Sequence, residues 1–256
     1  MRIVLASMRT AFLEAWTNRR SFWLQVTMMM ANDLVWIAFW VLLFNKVGDV
    51  RGWDARRIVL LYAVLTTAAG LALGLLANSR RIGRMAVEGE LDPVLTLPVR
   101  PLVYLLTKRV DTSLLGDLIF GPVLFFTLAG PTVERTAIYI AGSLASAAVL
   151  VAFLVLLGAL TLLIGGKGEQ SDLGFQAVLI FSSYPLDIFG GATKFMLYTA
   201  IPAAFVTGLP VRLVDEFHAG TFALLLGGAA FISLLAAMSF KLGLRRYSSG
   251  ALWTRA

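Results

Sequence analysis

The chain has 256 residues, of which 59% are hydrophobic and 14% are charged, and its formal net charge is +7. Soluble domains contain about a quarter charged residues, so this composition argues against a water-soluble enzyme. The chain has no cysteine and a single histidine, which excludes disulfides, thiolate metal sites and any site that needs two histidines from one chain. On a membrane protein, the positive charge indicates anionic lipid headgroups as partners rather than nucleic acid.

The first segment, residues 1–20, has an amphipathic pattern. Leu5, Met8, Phe12 and Trp16 recur at helical spacing along one face, and polar residues occupy the other. A basic helix with an aromatic apolar face is typical of a helix that lies on a membrane surface. We therefore predict an interfacial helix over 1–20, with an ordinary charged lead-in to the first membrane span as the alternative.

Six windows of the chain are apolar and poor in charge over about 20 residues, the length that a helix needs to cross a bilayer. They predict an all-α, polytopic membrane protein with six transmembrane helices in a single domain, 1–256. The predicted spans cover about 22–44, 58–79, 112–133, 136–165, 173–192 and 219–240.

The segment 193–218 precedes the last span and is interrupted by Pro202, Gly208 and Pro210. Proline removes a helix donor and clashes with the preceding turn, so a continuous helix is not expected here. We predict a broken outer segment, either re-entrant or interfacial, because non-helical backbone at membrane depth must be satisfied by protein or water.

Orientation follows from the distribution of the 22 lysines and arginines. With six spans, most of them fall on the side that carries both termini and the segment 80–109. The positive-inside rule then places both termini in the cytoplasm of a multi-pass membrane protein. The first outer loop does not fit the positive-inside rule, because it contains four basic residues, Lys46, Arg51, Arg56 and Arg57.

Polar residues inside the predicted spans are few, and charged groups in lipid are costly enough that they usually face protein or water. Asp33 is the most unusual, because it lies about 11 residues from either end of its span, or roughly 16 Å from water. Asp117 and Asp187 lie near span ends, so a purely structural role is the alternative for both, and Asp187 can reach the outer interface. The candidates for a substrate path or a subunit interface are Asn32, Asp33, Asp117 and Asp187.

Small residues recur four apart in two spans, at Gly70 and Gly74 and again at Gly142 and Ser146. Such spacing lets two helix backbones approach closely. Packing within one subunit and packing between subunits both remain open from the sequence.

The segment 80–109 is long, polar and punctuated by prolines. Its pattern predicts a short helix over Ile82–Val87 that ends near Gly89. Three prolines, at positions 93, 98 and 101, are then expected to hold the chain away from regular helix. The apolar residues that follow favour either docking onto a partner or burial against the subunit's own membrane surface. They are Leu91, Val94, Leu95 and Leu97.

Motifs for nucleotide chemistry are missing. A Walker A loop requires G-x-x-x-x-G-K-[ST]. The nearest string, Gly165-Gly166-Lys167-Gly168, lacks the first glycine and the hydroxyl after the lysine. We therefore predict no catalytic residues, no ATP hydrolysis and no cofactor in this chain.

The string Gly89-Glu90-Leu91-Asp92, followed by Leu95 and Pro98, resembles the G-x-L-D-x-x-L-x-x-P signature of type-2 ABC exporter permeases. The layout of the whole chain is similar to a small six-span branch of that family with no assigned substrate. The segments 184–189 and 201–210 are also similar to that branch. The resemblance implies a bacterial plasma-membrane permease whose loop after the second span docks on a separate cytoplasmic ATPase.

The resemblance further implies an exporter of two permeases, related chains or identical copies, with a cytoplasmic ABC ATPase dimer that binds the ATP and Mg²⁺. The substrate path would lie between the two permeases, which alternate their access. The positions that would form or brace the ATPase contact are Glu88, Gly89, Glu90, Leu91, Asp92, Pro98 and Arg100.

Two alternatives remain open. The first is a secondary transporter driven by protons through Asp33 and Asp117, although no inverted repeat is evident. The second is a membrane-embedded enzyme that acts on lipid, which would need clustered metal or acid–base groups. Its acidic cluster would be Glu88, Glu90 and Asp92.

Overall fold

The computed structural model describes residues 2–247, and the ends of the predicted domain, 1 and 248–256, lie outside the described residues. The described chain is helical and contains no strand, only an isolated bridge between Val50 and Trp53. The α-helices are α1 Arg2–Thr17, α2 Arg19–Val47, α3 Ala55–Ala69, α4 Ile82–Val87, α5 Asp92–Leu95, α6 Pro101–Thr107, α7 Leu115–Leu128, α8 Val133–Ile164, α9 Gln170–Ser182, α10 Gly191–Thr199, α11 Leu209–Asp215 and α12 Ala219–Arg246.

Four of the described helical segments are long and apolar enough to cross a membrane: α2, α3 with its extension to Gly74, α8 and α12. A fifth candidate is the pair formed by α10 and the helical segment Ala204–Asp215, bent by 79° at the break between them. This bend agrees with the predicted interruption near Pro202, whose carbonyl accepts from Phe205 N at 3.0 Å instead of continuing α10.

Two of the six predicted windows contain shorter helices. The window 112–133 contains α7, which has 14 residues, and the window 173–192 overlaps α9, which begins at Gln170 and ends at Ser182. Pro185 explains the early end of α9, because a residue that precedes proline is disfavoured in the α conformation. The chain there turns into a short 3₁₀ segment, Leu186–Ile188.

Helix α8 occupies the centre of the bundle. Its middle residues Leu150 and Leu154 are fully buried, and α3, α4, α9, α11 and α12 all pack against it. By contrast, only 17% of the apolar windows of α2 and α12 is buried, so these two helices present broad apolar faces outward. An apolar surface of this extent needs lipid or another protein around it.

The small residues of α3 and its extension serve packing within the subunit. A Cβ on Gly70 would lie 2.4 Å from Leu118 N of α7, and one on Gly74 would lie 3.1 Å from Leu114 O. Gly70 also begins a π-helical turn that ends at Gly74, which widens the helix where α7 crosses it. Gly142 of α8 approaches Pro210 of α11 in the same way.

Both ends of the described chain lie at the end of the bundle that carries the segment 80–109, here called the loop end. Helix α1 packs beside α6, and the last turns of α12 pack against the end of α8, where a Cβ on Gly243 would lie 2.7 Å from Leu162 Cβ. Asn18 separates α1 from α2, and its side chain accepts from Ser21 N at 3.1 Å. Leu5 and Phe12 on α1 remain exposed.

We expect Gly70→Ala to destabilise the protein by about 1 to 3 kcal/mol, because the added methyl group meets the backbone of α7 and forces it to shift. The measurement is thermal or denaturant unfolding of the purified protein in detergent. Gly227→Ala is the matched control, since a Cβ there meets nothing within 4 Å. Equal stability of the two variants would contradict the close approach of α3 and α7.

Candidate functional site

The segment 80–109 contains the predicted helix within the predicted bounds, since α4 spans Ile82–Val87. Gly89 ends it with φ +75°. The next two amides close the turn: Gly89 N donates to Ala86 O at 3.4 Å and Glu90 N donates to Met85 O at 2.9 Å. This is the Schellman arrangement, which places a left-handed residue just after a helix and so favours glycine there. The glycine of the signature therefore has a structural reason.

The expectation that the prolines hold the chain out of helix was wrong for two of the three. Pro93 lies in the first turn of α5, and Pro101 is the first residue of α6. Proline suits the first helical turn, because the amide that it lacks would have no intrahelical partner there. Pro98 lies between the two helices in non-helical backbone.

The apolar residues of the segment divide between the two alternatives that the sequence left open. Leu91 and Val94 are buried, with exposures of 0% and 2%, in a cluster that includes Ile82 and residues of α8 and α12. Leu95 and Leu97 remain 42% and 41% exposed. The first pair thus anchors the segment to its own subunit, and the second pair presents an apolar surface.

The anchoring of the segment on α8 is close. A Cβ on Gly158 of α8 would lie 2.8 Å from Ile82 Cβ, and one on Gly83 would lie 2.8 Å from Thr161 Oγ1. At the base of the segment, Asn78 Nδ2 donates to Leu105 O at 2.9 Å, and Ala77 N donates to Arg109 O at 3.3 Å. Hydrogen bonds therefore connect the two ends of the segment to each other, and α4 packs it against α8.

Charged residues surround the exposed part of the segment. Arg81 pairs with Glu90 at 3.7 Å, and both Arg80 and Arg84 pair with Asp172 at the start of α9. The exposed surface between these pairs, which we call the tip surface, comprises Glu88, Glu90, Pro93, Leu95, Leu97, Pro98 and Arg100. Of the residues predicted to contact an ATPase, Gly89 and Leu91 support this surface from below.

A separate cavity of about 290 Å³ lies among α2, α3, α7 and α9. It brings together Asp33 of α2 and Asp117 of α7, whose carboxyl groups interact directly. Both side chains are buried, with exposures of 6% and 4%. Asn32 lines the same cavity and is exposed. Three of the four candidate intramembrane residues therefore meet in one place.

Sequence reasoning did not predict that Tyr62 and Tyr184 join the tryptophans of α2 in an aromatic wall of this cavity. Trp40 Nε1 donates to Tyr62 Oη at 2.7 Å, and the rings of Trp40 and Tyr184 meet edge to face with centroids 5.6 Å apart. Asp33, Trp36 and Trp40 are spaced three and four apart on α2, a signal that places them on one helix face. No comparable signal links them to Tyr62 or Tyr184, which come from other helices.

Asp187 lies apart from this cavity, at the opposite end of the bundle from the loop. Its Oδ1 accepts from Lys194 Nζ at 3.0 Å and from Arg212 Nη2 at 2.5 Å, and its Oδ2 accepts from Trp53 Nε1 at 3.2 Å. Burial works against its charge, but the bonds from Arg212, Lys194 and Trp53 outweigh this and hold the pKa of Asp187 below its usual range. Asp187 therefore joins α10, α11 and the connection between α2 and α3.

Three of the four basic residues that were discordant with the orientation rule, all arginines, have structural partners at this same end. Arg51 Nη1 donates to the carbonyls of Asp187 and Ile188 at 3.1 Å. Arg56 donates to Ala129 O at 3.3 Å, and Arg57 pairs with Asp215 at 2.8 Å. These arginines hold the connections between helices together.

The acidic residues at 88–92 do not form a metal centre in the part of the chain that the structure describes. No group of three or more histidine, aspartate or glutamate side chains there is arranged to hold a metal ion. Glu90 is instead paired with Arg81.

We expect Leu91→Ala to lower the free energy of unfolding by about 2 to 5 kcal/mol, because it leaves a cavity beneath the tip surface. The control is Leu95→Ala, which removes the same atoms from an exposed position and should change stability by no more than about 0.5 kcal/mol. Unfolding in mixed micelles measures both variants. A Leu95→Ala variant as unstable as Leu91→Ala would show that the assignment of buried and exposed leucines is incorrect.

Comparison with known proteins agrees with the signature at the tip surface. A sequence model of the family described as ABC-2 family transporter protein matches residues 28–251. No match is found among curated proteins or among solved structures. The matched region includes α2 from residue 28 onward and all the helices from α3 to α12, with the segment 80–109 and the Asp33–Asp117 cavity. The chain is therefore a multi-pass membrane protein that belongs to the ABC-2 transporter family and is a membrane component of that class of transporter.

Proposed function

We propose that the chain is the permease subunit of an ATP-driven exporter and that the segment 80–109 is its coupling element. The observation that carries the proposal is the combination of an exposed, partly apolar tip surface with a buried anchor on α8. A surface that receives force must be exposed, and the element that transmits it must be packed rigidly against the part that moves. The segment meets both conditions.

In this proposal the tip surface docks on one subunit of a cytoplasmic ABC ATPase dimer, which binds the ATP and Mg²⁺. Glu88, Glu90, Pro98 and Arg100 contact the ATPase directly, together with Leu95 and Leu97. Gly89 and Leu91 brace them. Asp92, in the first turn of α5, supports the start of that helix. Closure of the ATPase dimer on ATP moves α4, and α4 moves α8.

The topology that fits this function has six crossings: α2, α3, α7, α8, α9 and α12. An α7 of 14 residues is only about 21 Å long, so its non-helical flanks complete the crossing. The bent pair after α9 is then re-entrant from the outer side. An even number of crossings agrees with the position of α1 and the end of α12 at the loop end.

The loop end is cytoplasmic in this arrangement, and α1 lies on the inner membrane surface. Its exposed Leu5 and Phe12 then face lipid. The aromatic cluster of Trp16, Phe22 and Trp23 at the junction with α2 supports this position, because such rings favour the membrane interface.

A second permease, a related chain or an identical copy, packs on the face where the Asp33–Asp117 cavity opens. Trp36 and Ile180 at its rim are 52% and 58% exposed, which is a large apolar surface to leave without a partner. The substrate path lies between the two permeases. Their tilting between inward-open and outward-open states moves the substrate outward, and membrane lipids cover the remaining apolar faces.

The test of coupling is the double variant Leu95→Asp with Leu97→Asp. Two carboxylates on the tip surface must be desolvated on docking, so we expect stimulation of the ATPase by substrate and export to fall by about tenfold or more. Membrane insertion and thermal stability should remain, since both leucines are exposed. The assays are ATP hydrolysis and vesicle export with the co-expressed complex.

The control is Val133→Asp, an exposed apolar residue at the end of the bundle opposite the loop. It should leave coupling unchanged. Full coupling in the Leu95/Leu97 variant, with the ATPase bound as tightly as before, would remove the tip surface from the mechanism.

The Asp33–Asp117 contact favours one alternative, a transporter driven by protons, because paired carboxyls serve as proton relays in such proteins. The two mechanisms differ in their energy source, which is ATP hydrolysis in one and a proton gradient in the other. Our proposal expects transport to survive an ionophore that abolishes the proton gradient while ATP stays high. Loss of transport under those conditions, with ATP hydrolysis unaffected, would favour the proton-driven alternative.

A further inference from the structure

Within the described chain, two buried carboxylate oxygens of the Asp33–Asp117 cavity lack a hydrogen-bond donor. Among the described residues, no hydrogen-bond donor reaches Oδ2 of Asp33 or Oδ1 of Asp117, although both atoms are buried. No lysine or arginine lines the cavity. A buried carboxylate is costly unless a positive group lies beside it, and two neighbouring carboxyls that share one proton still leave one negative charge. A bound cation would supply the positive charge that this site lacks.

The aromatic rings of the cavity provide the second half of a cation site. Trp36, Trp40, Tyr62 and Tyr184 all line it. The hydrogen bond from Trp40 to Tyr62 and the edge-to-face contact of Trp40 with Tyr184 hold three of these rings in place. Aromatic faces attract cations within about 6 Å, and cages of such rings recognise quaternary ammonium groups.

The composition and size of the cavity favour an organic cation over a metal ion. Ca²⁺ needs six or more oxygen ligands and Mg²⁺ needs six. The cavity wall is mostly apolar and includes Leu65, Ala69 and Leu179. The volume of about 290 Å³ suits a small ammonium ion that carries a few alkyl carbons. The exposed rim at Trp36 and Ile180 gives it a way in from the molecular surface.

We propose that this cavity binds a small organic cation of the quaternary ammonium type, with the carboxyls of Asp33 and Asp117 balancing its charge and the aromatic rings enclosing its alkyl groups. The further step, that this class of cation is the exported cargo, rests on the proposed function. The binding site itself does not.

The test is calorimetric titration of the purified full chain in detergent, without any ATPase, with choline and with 3,3-dimethyl-1-butanol. The two probes have the same shape, but only choline is charged. We expect choline to bind at least about tenfold more tightly than the neutral alcohol, because only the cation interacts with the carboxylates. Equal binding of both probes, or no binding of choline, would overturn the proposal.

Two isosteric variants, Asp33→Asn and Asp117→Asn, should each weaken choline binding by about tenfold or more. Glu134→Gln, which removes one exposed carboxylate outside the cavity, should leave binding unchanged. Trp36→Leu keeps the proposal testable if an aspartate variant does not fold, because its side chain is half exposed, and we expect about threefold to tenfold weaker binding. Unchanged binding in all the folded cavity variants would show that choline binds elsewhere.

Failure of this experiment can be separated from failure of the proposed function. If choline does not bind while the Leu95/Leu97 variant still loses coupling, the cation site is wrong and ATP-driven export stands. If choline binds as expected while coupling is insensitive to the tip surface, the site stands and the coupling mechanism is wrong.

Discussion

The structure depends on the close approach of α4 to α8. Gly158 on α8 and Gly83 on α4 leave no room for a side chain, so Ile82 rests directly on the backbone of the central helix. Leu91 and Val94 extend this contact as a buried cluster. Packing of this density joins α4 firmly to α8. Helix α8 in turn contacts most of the bundle, so it links the segment 80–109 to the other helices.

The signature at the tip surface contains two kinds of residue with different roles. Gly89 closes a helix with a left-handed turn, and Leu91 fills the space beneath it. Leu95 and Pro98 are exposed. Burial thus separates the residues of the signature that support the tip surface from those that lie on it. The acidic residues in the bundle also differ from one another. Lys194 and Arg212 neutralise Asp187, whereas no described lysine or arginine lines the cavity of Asp33 and Asp117.

The arginines at the end opposite the loop have structural contacts that a count of basic residues for the orientation rule does not reveal. Arg51, Arg56 and Arg57 appear on the sequence as a violation of the orientation rule. In the structure each reaches a carbonyl or a carboxylate of another element. Charge-assisted hydrogen bonds of this kind close the connections between helices, and they are stronger than bonds between neutral groups.

The features that depend on neighbouring residues could be predicted from the amino-acid order: the apolar helices, the bounds of α4, the break near Pro202 and the family signature. Local periodicity and capping are sufficient for these. Proline was misjudged at positions 93 and 101, because its effect reverses between the interior and the first turn of a helix. Other features became visible only in the folded chain. Leu91 is buried whereas Leu95 is exposed, and Gly70 packs within the subunit. Asp33 and Asp117 line one cavity with Tyr62. These depend on contacts between residues far apart in the chain, which no local pattern records.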